Sequence, residues 1–359
     1  MPAASRRLSL TVSRYCGAQR LFRLWSRGPT VIFYHGVEEM ILDPEVQGLH
    51  LPLQIFEKQI AFLRRHREVV SMDDLCEGIV NQTGLDSRHV VLTFDDGYQN
   101  NLRIVAPLLK AWKIPFTIFV SSRHVSERQR FPTYYIRAAI LYTEKSVVYL
   151  PSIHKGFDLA TREKRRAAAR AVVQVAKSAP LDLVERIRTD CINQLAPERW
   201  AELNARFISD EPMGWEEVVE TVSLGATIGS HCHDHCILHS NQQEREVHRQ
   251  LTESKAAIGK NVMECKYMAY PNGTVDDISN IAYSAVKSAQ FRMAFSTISG
   301  EVTPDVDCFL APRISAETEY EEFCYLLNRT GKQNDVYRGA HSQWLHRMKE
   351  FDVKGARVI

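Results

Sequence analysis

Short apolar runs punctuate the first third of the chain, each closed by polar or turn-forming residues. Thr30–Tyr34 reads Thr-Val-Ile-Phe-Tyr and ends at His35-Gly36, and His89–Phe94 ends at Asp95-Asp96-Gly97. Residues 114–120 make a third run, Ile-Pro-Phe-Thr-Ile-Phe-Val. Continuous apolar runs of this length suit strands buried on both faces. Between them, residues 56–65, 72–79 and about 100–112 carry helical periodicity. Strands alternating with helices predict a parallel sheet whose functional groups gather at the carboxyl ends of the strands. His35 and the Asp95-Asp96 pair stand at two such ends.

The alternation stops at about 122–212, where the pattern is mostly helical, including an Ala-, Arg- and Lys-rich stretch at 161–179. This reads as an inserted helical lobe. The earlier rhythm then resumes with a helix at 215–222, a strand ending at His231 and a helix at 243–258. A strand at 267–270 closes on Pro271-Asn272-Gly273, followed by a helix at 277–289 and a short strand at 293–295. The chain thus divides into a basic segment (1–28), an α/β domain (29–330) carrying the lobe, and a polar C-terminal tail (331–359).

Bulk composition narrows the function. Hydrophobic residues make up 45% of the 359 and charged residues 25%, values of a folded globular chain. A formal net charge of +2 argues against nucleic acid as the main partner. No apolar stretch reaches the roughly 18–20 residues of a membrane-spanning helix. The eight cysteines include no Cys-x-x-Cys pair, and with no secretory signal evident a reducing cytoplasmic location is the simplest expectation. Residues 1–36 contain no Asp or Glu but several arginines interspersed with apolar residues. That segment suits peripheral contact with an anionic membrane surface, a helix packed on the domain, or an organelle transit peptide.

The chemistry lies in two clusters. Asp95-Asp96-Gly97 is also a common turn signal, but its place after a β-rich run gives it weight. Neighbouring carboxylates repel unless a cation or a proton intervenes. Downstream, His231 and His235 have the i, i+4 spacing that puts two imidazoles on one helical face. One carboxylate plus two imidazoles is a three-ligand set that leaves Zn²⁺, or another divalent metal, an open position for water. The other carboxylate is then free to act as a base. A closed structural site of Cys232, Cys236 and two histidines is the rival, and it would leave the Asp pair without a purpose. His233, two residues from each chosen ligand, is expected to point elsewhere.

Several motifs together resemble the polysaccharide deacetylases, carbohydrate esterase family 4. They are Thr93-Phe94-Asp95-Asp96-Gly97-Tyr98, Gly229-Ser230-His231-x-x-x-His235 and Ala269-Tyr270-Pro271-Asn272-Gly273, supported by residues 114–119, Trp215 and Ala311-Pro312-Arg313-Ile314. The resemblance covers about residues 29–325. It implies a distorted (β/α)7 barrel with a helical insertion, hydrolysing N-acetyl groups on amino sugars. Asp95 would be the general base, and Asp96, His231 and His235 the zinc ligands.

The family's late Leu-x-His strand is missing after Arg313, but Phe33-Tyr34-His35-Gly36 looks like that strand moved to the N-terminus. This resembles the permuted members that act on poly-N-acetylglucosamine. His35 would then be the general acid, against the alternative of an ordinary strand-end histidine. The arginine that commonly tethers the base is replaced by Ala269. Arg313 is a candidate for that task, with a surface role the alternative, and Tyr270, Pro271 and Asn272 would line the acetyl pocket and help hold the oxyanion. The implied partner is an N-acetylated amino-sugar glycan. Two competing functions are a deformylase acting on a lipid-linked amino sugar and a non-catalytic glycan-binding relative.

Overall fold

The structure is a computed structural model, and it describes residues 28–82, 84–316, 319–328 and 337–345. The basic N-terminal segment, apart from Gly28, lies outside the described residues. Seven strands run in series along the eight-stranded sheet of the domain, with the two-residue strand Glu68–Val69 paired to the second of them off this path: β1 (Thr30–Tyr34), β2 (His89–Phe94), β3 (Phe116–Val120), β4 (Ala226–Ser230), β5 (Tyr267–Ala269), β6 (Met293–Phe295) and β7 (Ile314–Ser315). Their order is β6-β5-β4-β3-β2-β1-β7, and every pairing is parallel. The segment carrying β7 pairs Ile314 with Ile32 on one side, and a parallel bridge joins Ala311 to Phe295 on the other. One extended stretch therefore links the two outer strands, and the sheet curls into a distorted (β/α)7 barrel.

Side-chain alternation divides each strand between two cores. Ile32, Leu92, Ile118, Ile228 and Met268 face outward and pack with Phe56, Ile60, Leu109, Val247 and Leu251 from the surrounding helices. Val31, Val91, Phe119, Tyr267 and Phe295 point inward and fill the barrel. The helix Met72–Asn81 starts at a reciprocal cap in which the Ser71 side chain accepts from Asp74 N–H and Asp74 accepts from Ser71 N–H.

Four helices of the lobe, Pro132–Tyr142, Arg162–Ser178, Leu181–Ile192 and Pro197–Arg206, share a separate core that includes Ile136, Val172, Ile187 and Phe207. The lobe also holds an antiparallel hairpin, Val147–Leu150 with Lys155–Asp158, which the helical pattern did not predict. Where a polar tail was expected, residues 337–345 are helical. Trp344 is buried there, its indole N–H donating to the Ile278 carbonyl at 3.0 Å and its ring centred 4.6 Å from that of Tyr283. No helix among the described residues is long and apolar enough to cross a membrane.

Candidate active site

Asp95 and Asp96 are separated by backbone conformation. Asp95 N–H still donates to the Tyr34 carbonyl at 2.9 Å, in the ladder between β1 and β2. Asp96 and Gly97 then both adopt left-handed conformations, with φ of 74° and 71°. A Cβ at position 97 would lie 2.8 Å from Val120 Cγ1, so glycine is required there. This double left-handed step divides the two carboxylates between different partners.

Asp95 is gripped by Arg313, whose Nη1 and Nη2 donate to Oδ1 and Oδ2 at 2.7 and 2.8 Å. Arg313 is fully buried, so the surface alternative is ruled out. Its Nε donates to the Ser296 carbonyl at 3.0 Å, and its guanidinium lies 4.6 Å from the Phe33 ring centre. Burial alone would raise the Asp95 pKa, but Arg313 and His231 outweigh it and hold the carboxyl below the usual range. Asp95 is therefore ionised at neutral pH.

Asp96 turns to the histidines. His231 follows β4 directly, with its N–H donating to the Val120 carbonyl at 2.8 Å. The i, i+4 spacing is not that of a helix: residues 231–239 form an irregular loop, with Cys232 and His235 at φ of 62° and 53°. Those two left-handed residues turn both imidazoles toward Asp96, with Nε2 of His231 and His235 at 3.5 and 3.2 Å from Oδ1. His231 Nδ1 lies 2.7 Å from the Ala269 carbonyl, which can only accept, so Nε2 is left as the lone-pair nitrogen of the neutral ring. Burial pushes the His231 pKa down to about 4. The His235 ring packs edge-on against Phe131, 4.9 Å between centres.

These residues fit a divalent cation. Asp96 Oδ1 is buried and no donor among the described residues meets it in hydrogen-bond geometry. One ligand atom from each of Asp96, His231 and His235 lies within 4.8 Å of the others. A carboxylate facing imidazole lone pairs is an arrangement a cation resolves. The rival thiolate site is not formed: Cys232 and Cys236 are buried in the outer core with Val247 and Leu251, where burial raises both thiols. His233 points away, 2.7 Å from Ser122 Oγ and 3.2 Å from Glu253.

A cavity of about 440 Å³ opens over this cluster, with His35, Asp95, Asp96, His231 and His235 in its lining. His35 is half-buried. Burial lowers its pKa while Asp96 and Asp95 oppose the shift, and Asn101 Nδ2 donates to its carbonyl at 2.9 Å.

The motif around Tyr270 divides. Tyr270 does not reach the cavity: it is buried in the outer core and its hydroxyl donates to the Phe309 carbonyl at 3.0 Å. Pro271 is likewise absent from the lining, whereas Asn272 is part of it, at φ 60°. The lobe adds residues the sequence did not single out, Phe131, Arg137 and Lys177, and Thr297 joins from the loop after β6. Tyr98, in the quoted motif but given no role, faces the Asp96 carboxylate. Nothing in the amphipathic pattern of the lobe helices distinguishes Arg137 or Lys177 from solvent-facing cations.

A family model described as polysaccharide deacetylase matches residues 82–294, more than half of the chain. The chain belongs to the polysaccharide deacetylase family. No curated protein matches in sequence. Among solved structures, IcaB from Ammonifex degensii is similar at a TM-score of 0.54 and 15% identity, over 84% of this chain and 97% of that one. The Streptococcus pyogenes deacetylase PplD, in complex with acetate, is similar at a TM-score of 0.54 and 13% identity, over 84% and 98%. At such identities the likeness is one of fold. Family membership makes the chain a carbohydrate-deacetylase-type hydrolase.

Proposed function

We propose that this member of the polysaccharide deacetylase family is a Zn²⁺-dependent hydrolase that removes N-acetyl groups from amino sugars of a polysaccharide or lipid-linked glycan. The observation that carries the reading is the division of labour between adjacent carboxylates: Asp95 is locked to Arg313 by two hydrogen bonds, while Asp96 faces two imidazoles. Asp96, His231 and His235 would hold the cation, which when bound supplies Lewis acidity at the acyl carbonyl and acidifies the attacking water.

Asp95 accepts a proton from that water. Arg313 keeps it ionised and fixes both of its oxygens, so the proton is received at a defined position. His35, in the same cavity wall, relays a proton to the departing amine nitrogen as the C–N bond breaks, and the proton that Asp95 accepted from water makes good that loss, so hydrolysis ends as acetate and a protonated amino sugar. The backbone around Asn272 would offer an N–H to the oxyanion of the tetrahedral intermediate.

Replacing Asp95 with Asn removes the proton acceptor and keeps the shape. Acetate release from N-acetylated glycans should fall by at least about a hundredfold, while metal content by elemental analysis stays that of the wild type. Undiminished acetate release in the variant would remove Asp95 as base, and absence of metal from the wild type would remove the ligand set.

A further inference from the structure

Two cations that the lobe turns into the cavity have no part in that reaction. Lys177, on Arg162–Ser178, donates from Nζ to Asn272 Oδ1 at 2.7 Å, a neutral acceptor. Arg137, on Pro132–Tyr142, donates to the Val46 carbonyl at 3.4 Å. Both line the cavity together with His35, Asp95 and Asp96.

The charge balance of the cavity gives them a purpose. Asp95 is matched by Arg313. Asp234, also in the wall, is held by Arg123 and Arg249. That leaves Asp96 as the single unmatched carboxylate against two cations, and Asp96 is already committed to the imidazoles. A half-buried ammonium hydrogen-bonded to an amide oxygen, with the nearby Asp277 carboxylate already engaged by Asn272 and Thr274, beside a guanidinium bonded to one carbonyl, is a site that an oxyanion would complete by charge-assisted hydrogen bonds.

We propose that Lys177 and Arg137 form a subsite for a phosphate or phosphodiester group carried by the amino-sugar substrate. This rests on the deacetylase reading for the identity of the sugar but not for the anion. Two cations on separate helices suit an anion with several oxygens to share, and the planar guanidinium can grip two of them at once. Beyond the cations the wall turns apolar at Leu181, Val184 and Ile237. The phosphate is therefore tested on a free sugar phosphate, a nucleotide sugar and a polyprenyl carrier.

The experiment compares full-length wild type, Lys177→Gln, Arg137→Gln and Lys177→Arg. Glutamine at 177 removes the charge and keeps an N–H donor on a side chain one bond shorter. Acetate release is measured from N-acetylglucosamine 1-phosphate, its nucleotide and polyprenyl-phosphate forms, and neutral N,N′,N″-triacetylchitotriose. The ratio of kcat/KM for phosphorylated to neutral substrate should fall roughly ten- to a hundredfold in each Gln variant, with Lys177→Arg restoring most of it. An unchanged ratio in both Gln variants overturns the subsite.

Calorimetric binding of N-acetylglucosamine 1-phosphate separates this failure from failure of the deacetylase reading. Binding weakened by Lys177→Gln with no acetate released from any substrate keeps the subsite and removes the reaction. Acetate release from triacetylchitotriose with phosphate binding indifferent to both cations does the reverse.

Discussion

Arg313 joins stability to chemistry through one side chain. It is fully buried with both outer nitrogens on Asp95, so its removal strands a carboxylate in a site that cannot hydrate it. Breaking a buried pair from one side costs about 3–5 kcal/mol. Arg313→Met should therefore lose about that much stability in urea denaturation of the metal-free protein, and Asp95→Asn, which leaves the buried guanidinium facing an amide without a counter-charge, should be destabilised as well. Of the five residues that meet in the cavity wall, His35, Asp95, Asp96 and His231 lie within two residues of strand ends, where chain direction fixes the place of the side chain, whereas His235 is placed by the irregular loop after β4. Tyr270 also follows a strand end directly, yet its side chain lies in the outer core and not in the cavity wall. Its position beside a motif suggests a pocket, yet a buried tyrosine with one carbonyl partner satisfies its hydroxyl equally well in a core. Arg137 and Lys177 were illegible because their helices are placed by tertiary packing that no local pattern encodes.

At the scale of elements, the short helix Ser122–Glu127 links the lobe to the site. His124 is buried, its Nδ1–H donating to the Gln129 carbonyl at 2.7 Å and its ring 4.3 Å from Phe131, which in turn packs on His235. Burial pushes its pKa from 6.5 down to about 4. The sign follows from linkage: between those values the unfolded chain binds the proton and the folded chain does not, so stability falls as pH drops from about 6.5 to about 4 and is unaffected above. Denaturation of metal-free wild type and His124→Asn at pH 7.5 and 4.5 should show the variant gaining roughly 2–3 kcal/mol on the wild type at the lower pH. An equal difference at both pH values would show that His124 is not held neutral. Element boundaries were read well where strands are buried on both faces, as in β2 and β3. They were read poorly where one spacing serves two conformations. The interval from His231 to His235 matches a helical turn, but two left-handed residues bring the rings together instead. The hairpin in the lobe escaped because its short strands lie between helices whose periodicity dominates the window.

Across the whole molecule, the candidate metal site depends on closure of the barrel. Asp96 leaves the end of β2 and the histidines leave the end of β4, the two strands that flank β3. The ligands are far apart in sequence, so the unfolded chain offers no comparable site and a bound cation stabilises the fold by mass action. At a free concentration a hundred times Kd that amounts to about 2.7 kcal/mol. Adding Zn²⁺ to chelator-treated wild type should raise Tm by several degrees. His235→Ala removes one ligand outside the sheet ladder and should abolish most of the rise. Asp95→Asn leaves all three ligands in place and should keep the rise while turnover is lost. That contrast assigns the two neighbouring carboxylates separately, since a cation bridging both would make the Tm response fail in the two variants alike. If Zn²⁺ moves Tm equally in wild type and His235→Ala, the cation binds elsewhere and the three-residue ligand set is wrong.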